Sequence, residues 1–203
     1  AIPFYNNSAM GHLALFNIIN DERVSEIVIL DDFSDVKEFE KLKRKVAPFH
    51  KKVKLYRRDK NWGAFANKIQ VVDLCDSEWV ILLDYDNTVT KTYLDSMFAI
   101  PTWNTECIYC SDWAFPHFQF KELSGTVISF SSACDMAVND SLNGPFFNAG
   151  NYLVPRSKFV RTMKPYWNYH VAASDVIFAN YIWLSNGGKL SVVRGSQYIH
   201  RIH

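Results

Sequence analysis

The sequence predicts an α/β fold: a mixed, mainly parallel central sheet flanked by helices. Short apolar runs such as Ile27-Val28-Ile29-Leu30 and Trp79-Val80-Ile81-Leu82-Leu83 are too short for buried helices and read as strands covered on both faces. Segments with apolar residues at helical spacing separate them. The resulting order of strand, helix, strand, helix, strand, helix, strand implies parallel strands joined by right-handed crossovers. A chain of 203 residues, 48% apolar, suffices for one domain with a sizeable core.

Taken in order, Ala1-Ile2 reads as the end of a strand, and Pro3-Phe4-Tyr5-Asn6-Asn7 as the loop after it. The following helix carries Leu13, Phe16, Ile18 and Ile19 on its apolar side. The strand from Glu26 to Leu30 runs into Asp31-Asp32, and a basic helix follows, capped by Ser34 or Asp35 and ending before Pro48. Val53 to Tyr56 alternates as a strand, and Asn61 to Asn67 opens a helix reaching about Leu74. After the strand at Trp79 the rhythm is lost. Cys107 to Phe115 and Thr126 to Phe130 read as strands, and Ser141 to Gly150 is rich in turn residues. Tyr152 to Val154 is a short strand before a helix near Ser157. A last helix from Ser174 stops at Gly187-Gly188, and two short strands, Leu190 to Val193 and Gln197 to Ile199, finish the chain.

A net charge of +1 gives no reason to invoke nucleic acid, but the charge is uneven. Residues 37–60 hold eleven of the 22 Lys and Arg residues, read as a solvated helix face and edge strand in preference to a membrane contact. Four cysteines make no disulfide framework at this size. Cys107 and Cys110, in a strand, put their thiols on opposite faces, and no second pair completes a zinc site. Reduced thiols and a cytoplasmic setting are expected. No apolar run approaches membrane-spanning length, and no secretory leader is seen. The opening without Met, inside a strand, suggests a fragment of a longer protein.

Chemistry concentrates at Leu83-Asp84-Tyr85-Asp86-Asn87. Along extended chain Asp84 and Asp86 point the same way just past the carboxyl end of a strand, where open α/β sheets bind their ligands. Paired hard carboxylates suit Mg²⁺ or Mn²⁺, and a divalent ion suits a diphosphate. An Asp-x-Asp of this kind also occurs as a purely structural loop with Asx-turns.

The order Pro3-x-Tyr5-Asn6, Asp31-Asp32-x-Ser34, Asn61-x-Gly63 with Ala66-Asn67, then Leu83-Asp84-x-Asp86, resembles the first half of GT-A-fold, Rossmann-like glycosyltransferases of the family 2 type. Asn148-Ala149-Gly150-Asn151, Ser174-Asp175 and Tyr198-x-x-Arg201-x-His203 resemble its later motifs, so nearly the whole chain is covered. A fainter similarity is to glycan-building transferases of large algal viruses. The resemblance implies residues 1–100 as a nucleotide-binding half and 101–203 as an acceptor-binding half. It implies a metal-dependent hexosyltransferase that takes a UDP-sugar, glucose as the first guess, and a glycan or glycoprotein acceptor.

Within that reading, Pro3, Tyr5, Asp31, Asp32, Asn61, Gly63, Asn67, Asp84 and Tyr85 form the donor nucleotide site. Tyr5 would stack on the base. Asp31 or Asp32 would accept from the ring N–H of uracil, a proton that cytosine lacks. Asp86 is the firmer metal ligand, followed by Asp84, with His203 or His200 supplying an imidazole that favours Mn²⁺ over Mg²⁺. Arg201 or Arg194 would steady the diphosphate. Asn148, Ala149, Gly150 and Trp113 would serve donor sugar and acceptor, with Phe147, Trp167 and Tyr169 as further platform residues. Asp175 is the candidate base. The family usually has Glu-Asp where this chain has Ser174-Asp175, so inverting and retaining chemistry both stay open.

Two other readings compete. Leu83-Asp84-Tyr85-Asp86-Asn87-Thr88 also resembles the first motif of haloacid-dehalogenase-type phosphatases, with Asp84 as nucleophile, although no Gly-Asp-x-x-x-Asp follows. A non-catalytic carbohydrate- or nucleotide-binding module is the third.

Overall fold

The computed structural model describes residues 1–9, 14–138, 151–169 and 174–201. Along the chain run β1 (Ile2–Phe4), β2 (Ile27–Asp31), α1 (Val36–Val46), β3 (Val53–Arg57), α2 (Ala64–Asp73), β4 (Trp79–Leu82), β5 (Thr88–Val89), α3 (Lys91–Phe98) and β6 (Cys107–Phe115). Then come β7 (Phe118–Gln119), β8 (Val127–Ile128), α4 (Phe130–Val138), β9 (Tyr152–Pro155), α5 (Arg156–Met163), a π-helical turn at Ser174–Phe178, α6 (Ala179–Ser185) and β10 (Lys189–Ile199).

β1, β2 and β3 are parallel, with Ile2 beside Ile29 and Ile27 beside Val53. The remaining strands lie in the order β4-β9-β6-β10-β5, with β7 on β6 and β8 on β10. Ala1 joins the two groups: its nitrogen donates to the Ile81 carbonyl at 2.8 Å and its carbonyl accepts from Leu83 at 2.9 Å, the spacing of a parallel ladder. The carboxyl ends of β1, β2 and β4 therefore open onto one edge. Beyond β4 the pairing becomes mixed, since β9 runs antiparallel to both β4 and β6 while β10 runs parallel to β6.

Alternation along the strands divides the core in two. Val28, Leu30, Ile108, Cys110, Tyr152 and Val154 pack on one face with α2, α5 and α6. Ile27, Ile29, Cys107, Tyr109 and Leu153 pack on the other with α1 and α3. Cys107 and Cys110 are thus on opposite faces, as the strand period requires.

Several local expectations change. Phe16, expected on an apolar helix face, is 75% exposed, whereas Ala14, Leu15 and Ile18 face the core. Neither Ser34 nor Asp35 caps α1 through its side chain; Ser34 instead bonds Asp31 and the Asn6 amide. The strand expected to run to Phe130 ends at Ile128, because Ser129 and Ser132 cap a helix reciprocally, amide to hydroxyl, at 2.8 and 3.2 Å. α3 was also unforeseen; it starts where the Thr90 hydroxyl accepts from the Tyr93 amide. The two short strands at the end are one, β10, whose register to β6 shifts between Val193 and Gln197.

Candidate functional site

The open edge carries a cavity of about 670 Å³. Its walls come from the ends of β1 (Pro3, Phe4, Tyr5) and β2 (Asp32), the entry to α2 (Asn61, Gly63, Ala64, Asn67, Lys68) and the loop after β4 (Asp84 to Asn87). Phe118, Asp175, Val176, His200 and Arg201 complete it. Topology makes this convergence: parallel strands bring every β-to-α turn to the same edge.

Asp32 organises the floor. Its carboxylate accepts from the Trp62 amide at 2.9 Å and the Gly63 amide at 2.8 Å, with Arg58 3.4 Å away. Burial pushes this carboxyl up against the pull of those partners. Gly63 takes φ +86°, a conformation that side chains resist, and so lets the loop turn into α2 close to the strand ends. Asn67 donates to the Leu30 and Phe4 carbonyls at 3.0 and 3.5 Å and accepts from Arg58, fastening α2 to the ends of β1 and β2. Tyr5 stands 48% exposed at the mouth. Tyr85 packs edge-on against Phe4, and burial, with Asp86 beside it, raises its phenol.

Asp31 is not a cavity wall. It is fully buried, accepts from the Ser34 amide and hydroxyl, and pairs with Arg57 at 3.2 Å. Of the adjacent pair only Asp32 lines the cavity, because consecutive residues at a strand end point opposite ways. Trp113 also lies elsewhere, on β6, with Phe115 edge-on at 5.3 Å and the Lys121 ammonium over its ring. Phe147, Asn148, Ala149, Gly150 and His203 lie outside the described residues.

The loop of Asp84 and Asp86 is held from two sides. The Asp84 amide donates to the Asn151 side chain at 3.0 Å. Asn151 holds φ +66°, and its carbonyl accepts from the buried Tyr93 hydroxyl. On the other side Arg201 donates to the Asp86 carbonyl at 2.7 Å and the Thr88 hydroxyl at 2.9 Å, while its amide meets the Asn87 side chain. Arg201 therefore secures the acidic loop through its backbone. His200 lines the same cavity, its ring against Phe118 and His117.

At the centre stands Lys68. Its side chain is 7% exposed, and its ammonium lies 2.9 Å from Asp84 and 2.8 Å from Asp175. Burial pushes the Asp175 carboxyl up, but the adjacent ammonium outweighs it and holds the group below its ordinary value. The motif series passed over this lysine, because a single Lys in a helix ordinarily reads as solvated. The apolar residues around it, Phe65, Ala66, Ile69, Val71 and Val72, are the local sign that it points inward.

Of the residues expected to hold a divalent ion, Asp84, Asp86 and His200 line this cavity: two hard carboxylates and an imidazole. Among the described residues no three His, Cys, Asp or Glu side chains close on one point, so water or the oxygens of a bound diphosphate would complete a shell here. A second cleft of about 290 Å³, between Trp79, Trp103, Phe98 and Ile2 at the opposite strand ends, is largely apolar and has no comparable cluster of carboxylates.

The fold is shared with solved glycosyltransferase structures. GalNAc-T7 with UDP, GalNAc and Mn²⁺ superposes with a TM-score of 0.72 at 15% identity, covering 100% of this chain and 43% of that one. S. aureus TarS gives 0.69 at 14% identity, covering 99% and 36%. S. aureus TarS 1-349 in complex with UDP-GlcNAc gives 0.69 at 14%, covering 100% and 58%. The chain thus spans less than two thirds of each of these structures. No curated protein sequence matches it. The profile of Glycosyl transferase family 2 matches residues 1–114, more than half of the chain and the part that holds the strand ends, the Asp32 floor and the Asp84–Asp86 loop. The phosphatase alternative accounts for that loop alone and is set aside; the chain belongs to Glycosyl transferase family 2.

Proposed function

We propose that this chain is the catalytic domain of a metal-dependent transferase that moves a hexose from a UDP-sugar to a hydroxyl of a glycan or glycoprotein acceptor. The observation that carries the proposal is the meeting of Asp86 and Asp175, far apart in sequence, on the walls of one cavity at the carboxyl ends of the strands.

In this reading Tyr5 stacks on uracil, Asp32 accepts from its ring N–H, and Asn61 and Gly63 approach the nucleoside. A divalent ion, held by Asp86 with support from His200, would supply positive charge to the diphosphate as it leaves; Mn²⁺ suits a set that includes an imidazole. Asp175 accepts the proton of the acceptor hydroxyl. The acceptor oxygen bonds to the anomeric carbon while the bond from that carbon to the diphosphate breaks, its electron pair leaving on UDP. One displacement with one base inverts the anomeric centre. Lys68 keeps Asp175 ionised at neutral pH, as a base must be. Phe178, on the same turn as Asp175, packs with Tyr169 and Tyr181 into a partly exposed ledge, with centroids 4.8 Å apart for Tyr169 and Phe178 and 6.5 Å for Phe178 and Tyr181. Such rings stack on sugar faces, which makes the ledge the acceptor side.

The test is calorimetric titration of UDP, GDP and CMP, each with Mn²⁺ and with a chelator. UDP alone should bind, and only with the metal. Asp86→Ala should abolish that binding. Absence of nucleotide binding in the presence of Mn²⁺ would sink the proposal and favour a carbohydrate-binding module, for which Asp86→Ala leaves glycan binding unchanged.

A further inference from the structure

Lys68 carries an inference beyond the motif series. A lysine stem packed in the core is tolerated when its ammonium finds charged partners, and this one finds two. The partners reach it from distant parts of the chain: Asp84 from the loop after β4, and Asp175 from the first turn of the π-helical segment Ser174–Phe178. Hydrogen bonds from one residue to the fifth along widen that segment relative to an α-helix, a distortion common at functional sites. Lys68 itself sits in the second turn of α2, which Asn67 fastens to the ends of β1 and β2. Its ammonium is thus a fixed point on the rigid part of the fold, and the two carboxylates are aligned on it.

Two consequences follow from this geometry. One Asp84 oxygen is engaged by an ammonium, which competes with a metal ion for that carboxylate and repels the ion, so Asp84 is the weaker ligand of Asp84-Tyr85-Asp86. Asp175, lying in a short irregular turn, takes its position from the same nitrogen. We propose that Lys68 is a positioning residue for the transfer step: it holds Asp175 at a set distance from the acidic loop and withholds Asp84 from the ion, leaving that role to Asp86. The inference rests on Asp175 as the base of the proposed transferase.

The test uses Lys68→Met, close in volume and uncharged, Lys68→Arg, which keeps the charge, and the pair Asp84→Asn and Asp86→Asn. Binding of Mn²⁺ alone and of UDP with Mn²⁺ is measured by calorimetry. UDP release is measured with UDP-glucose, UDP-galactose, UDP-N-acetylglucosamine and UDP-N-acetylgalactosamine. Lys68→Met should bind UDP with Mn²⁺ as wild type does, within roughly threefold, with kcat about 100-fold lower and the donor KM little changed. Lys68→Arg should recover about tenfold of that loss. Without nucleotide, Mn²⁺ should bind Lys68→Met about tenfold more tightly, because Asp84 and Asp175 are released toward the ion. Asp84→Asn should retain Mn²⁺-dependent UDP binding and Asp86→Asn should lose it.

Normal kcat in Lys68→Met, or kcat and UDP affinity falling together, would overturn the positioning role. Equal loss of binding in the two aspartate variants would overturn the division of labour, and this arm stands even if Lys68→Met does not fold. A wild-type protein that binds no UDP with Mn²⁺ fails the transferase reading, and this inference with it. Failure confined to the variants leaves that reading intact.

Discussion

Asn67 shows how much one side chain can decide. Its amide is buried at 2% exposure and serves carbonyls of two strands and a guanidinium at once. Replacing it with Ala leaves the Leu30 and Phe4 carbonyls without that donor in the core. Asn67→Ala should cost about 2 kcal/mol, read as a lower urea midpoint with an unchanged slope. An unaltered midpoint would mean that α2 is anchored by its apolar contacts alone. Asn67 was legible in the sequence because it follows the Asn-x-Gly turn at a helix start. Lys68, its neighbour, was not: its role depends on Asp175, and no local pattern brings residue 175 to residue 68. The choice of Asp32 over Asp31 was equally closed to sequence, since it turns on which residue of the pair leaves the strand facing outward.

At the scale of elements, punctuation was more legible than pairing. Gly187-Gly188 ends α6 as expected: Gly188 donates to Trp183 and Gly187 to Leu184, with Gly187 at φ +80°. Gly188 has a second reason to be glycine. A Cβ there would lie 2.4 Å from the Trp183 indole nitrogen, which donates to the Lys189 carbonyl. Gly188→Ala should therefore destabilise by about 1–3 kcal/mol, the cost of overpacking, measured by thermal or chemical unfolding. Gly187→Ala supplies the comparison, since it meets only the strain of its left-handed backbone and no atom within 4 Å.

Glu26 fastens the start of β2 to its neighbours, accepting from Lys54 at 2.7 Å, the Asp76 amide at 2.6 Å and the Ser77 amide at 3.1 Å. Burial raises its carboxyl, and those donors more than offset the rise, leaving it below the ordinary glutamate value. A depressed folded-state pKa adds stability above the unfolded value, about 4.3, and the addition disappears as pH falls through the folded value. The stability difference between wild type and Glu26→Gln should be constant from neutral pH to about 5 and shrink below about 4.3. A difference that grew on acidification would reverse the assigned sign.

For the whole molecule, the parallel half was readable because each strand and helix announces itself in turn and the handedness of crossovers leaves few arrangements. The mixed half was not, since β9 slots antiparallel between β4 and β6 through pairings that no neighbouring residues encode. The basic stretch from 37 to 60 is also resolved only in three dimensions. Lys41 and Lys54 pair with Glu38 and Glu26 at the surface, whereas Arg57 and Arg58 turn inward onto the buried Asp31 and Asp32, so part of this charge is balanced inside the fold. Among the described residues no helix is long and apolar enough to cross a membrane.

The grip of Arg201 on the Asp86–Thr88 loop spans 115 residues of chain. During synthesis, at about 5–20 residues per second, the loop would leave the ribosome on the order of ten seconds before its clamp. β4 can pair with β9 in that interval, but β5 waits for β10, and Arg201 must arrive before the acidic loop takes its final shape. The order of translation thus delays completion of this cavity wall until the strands between the loop and Arg201 have been made.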